Sequence, residues 1–186
     1  MSDHFSELED KHINFIQGQH LYFVGTAARE GSVNLSPKGM DSLWVKNKNE
    51  VVWLNLTGSG NETAAHIVDS NRMTLMFCSF EKQPLIMRLY GQAEVIHPYD
   101  DAWQDYCETY GAPVGARQFF KLSIERVITS CGYAVPHYDF KKERQVLHNW
   151  AEKKGDDGIR EYWDKNNRHS FDGLPTFVLP DEEGGQ

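Results

Sequence analysis

Between Leu21 and Ser130 the chain offers one strand-like segment after another, with only one convincing helix among them, over Asn61 to Asp69. Leu21-Tyr22-Phe23-Val24-Gly25-Thr26-Ala27 is β-branched and aromatic, and Arg29-Glu30-Gly31-Ser32 reads as a hairpin turn into Val33-Asn34-Leu35. Ser42 to Val45 is a further strand, closed by the polar turn Lys46 to Glu50. Val51 to Leu56 alternates, with Val51 and Trp53 on one face and Val52, Leu54 and Leu56 on the other. Arg72 to Phe80 and Leu85 to Ile96 are joined by Glu81-Lys82-Gln83-Pro84, and Lys121 to Ser130 comes last. Parallel strands need a crossover, usually a helix, between each pair, so six or seven strands with one helix exclude a doubly wound parallel sheet. A hairpin-connected antiparallel sheet hides its edges by closing on itself. The expected class is mainly β, a β-barrel with flanking α-helices.

The flanks carry the helical pattern. Phe5, Leu8, His12, Phe15 and Ile16 recur near a helical period, which predicts an amphipathic helix ending near Gly18. Tyr99 to Tyr110 reads as a short helix ahead of the last strand. Beyond Pro136, Val146, Leu147 and Trp150 mark one helix face, and Ile159, Tyr162 and Trp163 another. The expected organisation is a barrel over residues 1–136 and a helical C-terminal extension over 137–186 packed on it. Lys plus Arg number 19 against 27 for Asp plus Glu, a net charge of −8, which argues against nucleic acid or an anionic membrane as the main partner. No apolar run approaches the roughly 20 residues that cross a bilayer. The acidic first ten residues do not read as a signal or transit peptide, and three widely spaced cysteines (Cys78, Cys107, Cys131) suit a reducing compartment. A cytoplasmic location is expected.

Four segments carry candidate chemistry. In Leu56-Thr57-Gly58-Ser59-Gly60-Asn61-Glu62-Thr63-Ala64-Ala65-His66-Ile67 a strand ends, two glycines bracket a serine, and a helix begins. Free amides and the positive end of the helix dipole converge there, so a phosphate is well held, with hydroxyls of Thr57, Ser59 and Thr63 in reach. The plainer reading is a capping box of Ser59 with Glu62. Asn34-Leu35-Ser36-Pro37-Lys38-Gly39-Met40-Asp41-Ser42 places Lys38 beside Ser36 as a second anion clamp, or else as a solvated lysine in a polar turn. Pro84-Leu85-Ile86-Met87-Arg88-Leu89-Tyr90-Gly91 sets an arginine in an apolar strand, where it requires a partner. Thr129-Ser130-Cys131-Gly132-Tyr133-Ala134-Val135-Pro136 is a small-residue exit from the last strand, and packing is the expected role of Cys131. The eight histidines show no metal-ligand spacing, and no Gly-x-Ser-x-Gly elbow occurs.

In order, these pieces resemble the pyridoxamine 5′-phosphate oxidase-related family of FMN-binding split barrels, from Phe15 to Pro136. The likeness runs through Tyr22 to Ala27, the Gly31 hairpin, Asn55-Leu56 into the helix at His66, Asn71 to Phe77, and Gly91-Gln92-Ala93-Glu94. A narrower subgroup also shares Ser36-Pro37-Lys38-Gly39, Gly58 to Thr63, Ser130 to Pro136 and Ser170-Phe171-Asp172-Gly173-Leu174-Pro175. The resemblance implies a six-stranded barrel that forms a homodimer with FMN in grooves between the subunits. It assigns Ser36, Pro37, Lys38, Gly39, Met40 and Thr57, Gly58, Ser59, Gly60, Asn61, Glu62, Thr63 to the flavin on one subunit. Arg88, Ser130, Cys131 and Gly132 would contribute from the other.

The chain also departs from the vitamin B6 oxidases of that family. They carry an Arg-Lys pair where Glu62 and Thr63 stand, an Arg where Ser36 stands, and a C-terminal Trp and Arg segment without counterpart after Phe140. Pyridoxamine phosphate oxidation is therefore not implied. The leading reading is an FMN-binding oxidoreductase acting on a small molecule, with no side chain singled out as general acid or base. Lys38 would touch either the flavin's N1/O2 edge or its phosphate. The alternatives are a non-catalytic flavin or haem carrier or stress-related barrel protein, with His66 or another histidine as axial ligand to haem, a deazaflavin-dependent reductase, and a barrel without cofactor.

Overall fold

The computed structural model describes residues 2–81 and 83–180. Met1, Lys82 of the Glu81–Pro84 connection and the last six residues of the extension lie outside the described residues. Eight strands, β1 (Ser2–Phe5), β2 (Tyr22–Ala27), β3 (Val33–Lys38), β4 (Leu43–Asn47), β5 (Glu50–Leu56), β6 (Arg72–Cys78), β7 (Leu85–Ile96) and β8 (Ala116–Cys131), form one antiparallel sheet. Its order is β3-β2-β6-β7-β8-β5-β4, with β1 also on β8. The sheet curls about the main core and is the split barrel expected from sequence, with eight strands where the resemblance implies six.

The sixteen-residue β8 organises the sheet. One edge pairs with β7 from Ile96↔Phe119 to Leu85↔Cys131. On the other edge its first half takes β5, from Leu56↔Ala116 to Glu50↔Ser123, and its second half takes β1, from Phe5↔Val127 to Ser2↔Ser130. The ladder with β7 shifts register between Tyr90 and Gly91. A Cβ on Gly91 would lie 1.9 Å from the Ser123 carbonyl oxygen, so only glycine lets the two backbones approach so closely. Inside, Trp53 stacks on Phe120 with ring centroids 4.6 Å apart, among Val24, Leu75, Leu89, Leu122 and Val127.

β3 is patterned against this core. Tyr22↔Lys38, Val24↔Ser36 and Thr26↔Asn34 are directly opposed, and Tyr22, Val24 and Thr26 are buried, so Asn34, Ser36 and Lys38 face inward. Val33 and Leu35 then point outward at 77% and 64% exposure. An edge strand with its polar side in and its apolar side out is the reverse of what a soluble barrel needs for itself.

Four helices, α1 (Asp10–Gln17), α2 (Glu62–Ser70), α3 (Trp103–Tyr110) and α4 (Val146–Asn166), pack around the sheet. The N-terminal helix is shorter than its periodicity predicts. Glu9 and His12 form a reciprocal cap that starts it at Asp10, and the residues before it are drawn into β1. α3 covers Val52, Leu54 and Phe119 with Trp103, Tyr106 and Tyr110. α4 breaks at Gly155 (φ 62°) into the two limbs that the sequence implies, and Ala151, Ile159 and Trp163 pack with Val178 and Leu179. Among the described residues no helix is long and apolar enough to cross a membrane.

Gly91→Ala is expected to lower stability by roughly 2–4 kcal/mol, because Ser123 backbone must move to admit the methyl. Urea denaturation measures it, and a change within about 0.5 kcal/mol would show that the bulge relaxes freely.

Candidate functional site

Lys38 is the last residue of β3, and its Nζ turns in over the barrel end. It donates to Asn55 Oδ1 at 3.1 Å and lies 5.4 Å from the centre of the Trp53 ring. Asn55 Nδ2 donates in turn to Gln118 Oε1 at 3.3 Å, while the buried Gln118 Nε2 has no partner among the described residues. Desolvation, and then the nearby Arg117 charge, pull the lysine down to about 8. Farther along the same inward face, Ser36 Oγ donates to Asn34 Oδ1 (3.1 Å), and Asn34 Nδ2 to Thr63 Oγ1 (3.3 Å) at the start of α2. One polar row thus runs from Lys38 to the helix.

The turn between β5 and α2 is held from behind by Arg117, which is 2% exposed. Its Nη1 donates to Asn167 Oδ1 (2.8 Å) and Gly58 O (3.4 Å), and its Nη2 to Gly60 O (3.0 Å). Burial lowers its pKa to about 9, still protonated at neutral pH. Among the described residues neither Lys38 nor Arg117 makes an ion pair. Two desolvated cations without an ion-pair contact are costly for the chain alone and favourable for a bound anion, although the Glu62 carboxylate offsets part of the Arg117 charge.

The capping box of Ser59 with Glu62 does not form. α2 begins at Glu62 with Asn61 as N-cap, and no side chain caps its amides. Both side-chain atoms of Asn61 are buried without a partner among the described residues. The Glu62 carboxylate instead accepts the Phe171 N–H at 2.9 and 3.1 Å, because the extension folds over this corner. Thr57 is also committed: its hydroxyl donates to Gly115 O and accepts from Trp163 Nε1, both at 2.8 Å. Ser59 and Gly60 stay exposed at the tip.

The structure therefore brings Ser36, Lys38 and the segment from Gly58 to Thr63 together. Pro37 faces outward. Gly39 abuts His20, whose carbonyl oxygen would be 3.1 Å from an added Cβ. Met40 (φ 62°) turns toward Thr57, His148 and Ala151 of a small cavity. Arg88 does not join this cluster within one chain. It lies on the outer side of β7, with two strands between it and β3, and its Nη1 is 3.5 Å from Ser130 Oγ. Cys131 is exposed rather than packed, because it ends the β8 ladder, and Gly132 N–H bonds Pro84 O at 2.7 Å. His66 is enclosed, with Nδ1 3.1 Å from Thr26 Oγ1, which closes it to a haem. Arg117 and Gln118 are the members that the sequence reading missed, while Asn34, Asn55 and Asn167 fall in stretches that it singled out without giving these side chains a role. Phe119-Phe120 just after Arg117-Gln118 was the signal that the last strand starts before Lys121.

A family model described as pyridoxamine 5′-phosphate oxidase matches residues 8–131. A pyridoxamine 5′-phosphate oxidase family protein of Aspergillus flavus, ustO, is 35% identical over 189 residues, covering 92% of this chain and 76% of its own length. Two solved structures superpose with TM-scores of 0.52. One is a variant of HupZ from Group A Streptococcus, 19% identical, covering 66% of this chain and 98% of that one. The other is a putative pyridoxamine 5′-phosphate oxidase from Lactobacillus delbrueckii, 21% identical, covering 66% and 94%. At such identities these two structures bear on the fold.

Because the folded-state pKa of Lys38 lies below the ordinary 10.5, the unfolded chain binds its proton more tightly. The penalty is fully present below pH 8 and fades as pH rises toward 10.5. Lys38→Met is expected to stabilise the ligand-free protein at neutral pH by about 1–3 kcal/mol, and by less at higher pH. Urea titrations at several pH values measure this, and an equal effect at all of them would refute a desolvated ammonium.

Proposed function

The chain belongs to the pyridoxamine 5′-phosphate oxidase family, and from that premise we propose that it is a flavoprotein that binds FMN noncovalently between two copies of itself and performs redox chemistry on a small molecule. The observation that carries this reading is the pair of desolvated cations, neither in an ion pair among the described residues: Arg117 behind the turn that leads into α2, and Lys38 on the polar row that ends at Thr63. The residues fit a mononucleotide. The amides from Ser59 to Thr63 would take its phosphate. Lys38, held by Asn55 Oδ1, would take the polar edge of its ring.

When bound, the flavin supplies the electron and hydride chemistry, and the protein sets its orientation and charge environment. Lys38 contributes a cation beside the ring edge whose proton is loosely held, since burial brings its pKa to about 8. The Trp53 ring lies beneath the ammonium, with the ring centre 5.4 Å away. The tail also serves the site, because Phe171 and Asn167 fasten the turn that would hold the phosphate.

The outward face of the sheet supports the dimer. Val33 and Leu35 on β3 share that side with Phe23, Met76, Ile86, Tyr90 and Ile128 by strand register. An apolar face of this breadth favours a second copy over water. Arg88 and Ser130 lie within it, so that in a dimer each can reach the partner's flavin.

Purified protein is expected to be yellow, to release FMN on denaturation and to elute as a dimer. Lys38→Ala should weaken FMN binding by about 1.5–3 kcal/mol, the range for a hydrogen bond to a charged group, as read by fluorescence titration. Colourless protein that takes up no flavin would overturn this reading, and a sharp Soret band would replace it with a haem protein.

A further inference from the structure

Arg117 is an unusual residue to find at the foot of a phosphate site, because it does not face the ligand side of the turn. Its two Nη groups draw the carbonyls of Gly58 and Gly60 toward β8. Across a trans peptide the carbonyl and the next N–H point in opposite directions. The amides of Ser59 and Asn61 are therefore aimed away from Arg117. The carboxamide of Asn61, 2% exposed and unpartnered at both atoms among the described residues, lies at the same corner.

Asn167 completes the arrangement. Its Oδ1 accepts from Arg117, and its Nδ2 donates to the carbonyls of Gly58 (3.2 Å) and Ser59 (3.3 Å). The Asn167 carbonyl is itself held by Thr176 Oγ1. Glu62, the acid whose field reaches Arg117, gives its oxygens to Phe171 N–H and does not pair with the guanidinium. The charge of Arg117 is thus preserved, enclosed, and separated from the anion side only by two oriented peptide groups.

We propose that Arg117, locked by Asn167 of the C-terminal extension, is the positioning residue for a phosphate monoester at the amides of Ser59 to Thr63. It turns the amides outward and supplies, from behind, the positive charge that Glu62 and Thr63 lack. The assignment rests on the flavin reading and deepens it: the extension becomes part of what distinguishes a flavin mononucleotide from the uncharged flavin.

The test is parallel titration of FMN and riboflavin into the full-length flavin-free protein and its Arg117→Met, Arg117→Lys and Asn167→Asp variants. Arg117→Met is expected to weaken FMN about tenfold or more, equivalent to about 1.4 kcal/mol, with riboflavin affinity unchanged. Arg117→Lys should recover part of the FMN preference, since it retains charge while losing the forked contact. Asn167→Asp places a carboxylate on the guanidinium and should erode the preference even though the arginine remains, which keeps the test decisive if Arg117→Met does not fold. FMN and riboflavin falling in parallel, or the lysine variant behaving like the methionine one, would reduce Arg117 to a structural strut and overturn the proposal. Wild-type protein binding neither flavin would instead overturn the flavoprotein reading itself.

Discussion

The continuous pairing of β8 along both edges is the constraint from which the rest of the molecule hangs. Sixteen residues of one strand hold β7 on one side and β5 followed by β1 on the other. A ladder of this length costs chain entropy only once, yet it sets the register of three other strands. It also sets the two ends of the site region. Arg117 and Gln118 stand at its beginning, next to the turn after β5, and Ser130, on the outer face, and Cys131 stand at its end. The bulge at Gly91 lets β7 follow β8 through its bend without releasing the pairing.

Upon that frame β3 introduces a conflict that folding alone does not resolve. A lysine brought over an indole, two desolvated cations within each other's field, and exposed Val33 and Leu35 each oppose the stability of an isolated chain. The polar row and the apolar face belong to the same strand and alternate along it. An anionic ligand on one side and a second subunit on the other, as proposed above, would answer both at once. This is the physical sense in which functional sites break the rules that the core obeys.

The barrel is legible because its strands alternate and its connections are short. β5 shows its two faces in the residues themselves, and the Gly31 turn marks its hairpin. The turn before α2 and Lys38 read as separate anion clamps, and the structure links them through Ser36, Asn34 and Thr63. What escapes is long-range. Ser2 to Phe5 has no strand character of its own and forms β1 only because β8 offers a free edge there. Arg117 and Gln118 interrupt the apolar pattern at the start of β8, so the strand looks five residues shorter. The link between Asn167 and Gly58 spans more than a hundred residues, and no local spacing encodes it. Thr57 misleads for the same reason: its hydroxyl looks free until Trp163 and Gly115 claim it.

The departure from the basic pair of the vitamin B6 oxidases follows from helix electrostatics. A cation in the first turn of α2 would oppose the positive end of the helix dipole, whereas a carboxylate there is favoured by about 0.3–1 kcal/mol. Glu62 takes that gain and uses its oxygens to fasten Phe171, which brings the Ser170 to Pro175 signature onto the barrel. Asp172 of the same segment accepts the Ser32 N–H at 2.7 Å, tying the tail to the β2–β3 hairpin as well. With an acid holding the tail, positive charge has to enter from another element. The start of β8 reaches the turn through its carbonyls while leaving its amides open. Placing the cation there leaves the helix start to the carboxylate, and under the proposed reading it would make the extension part of the site.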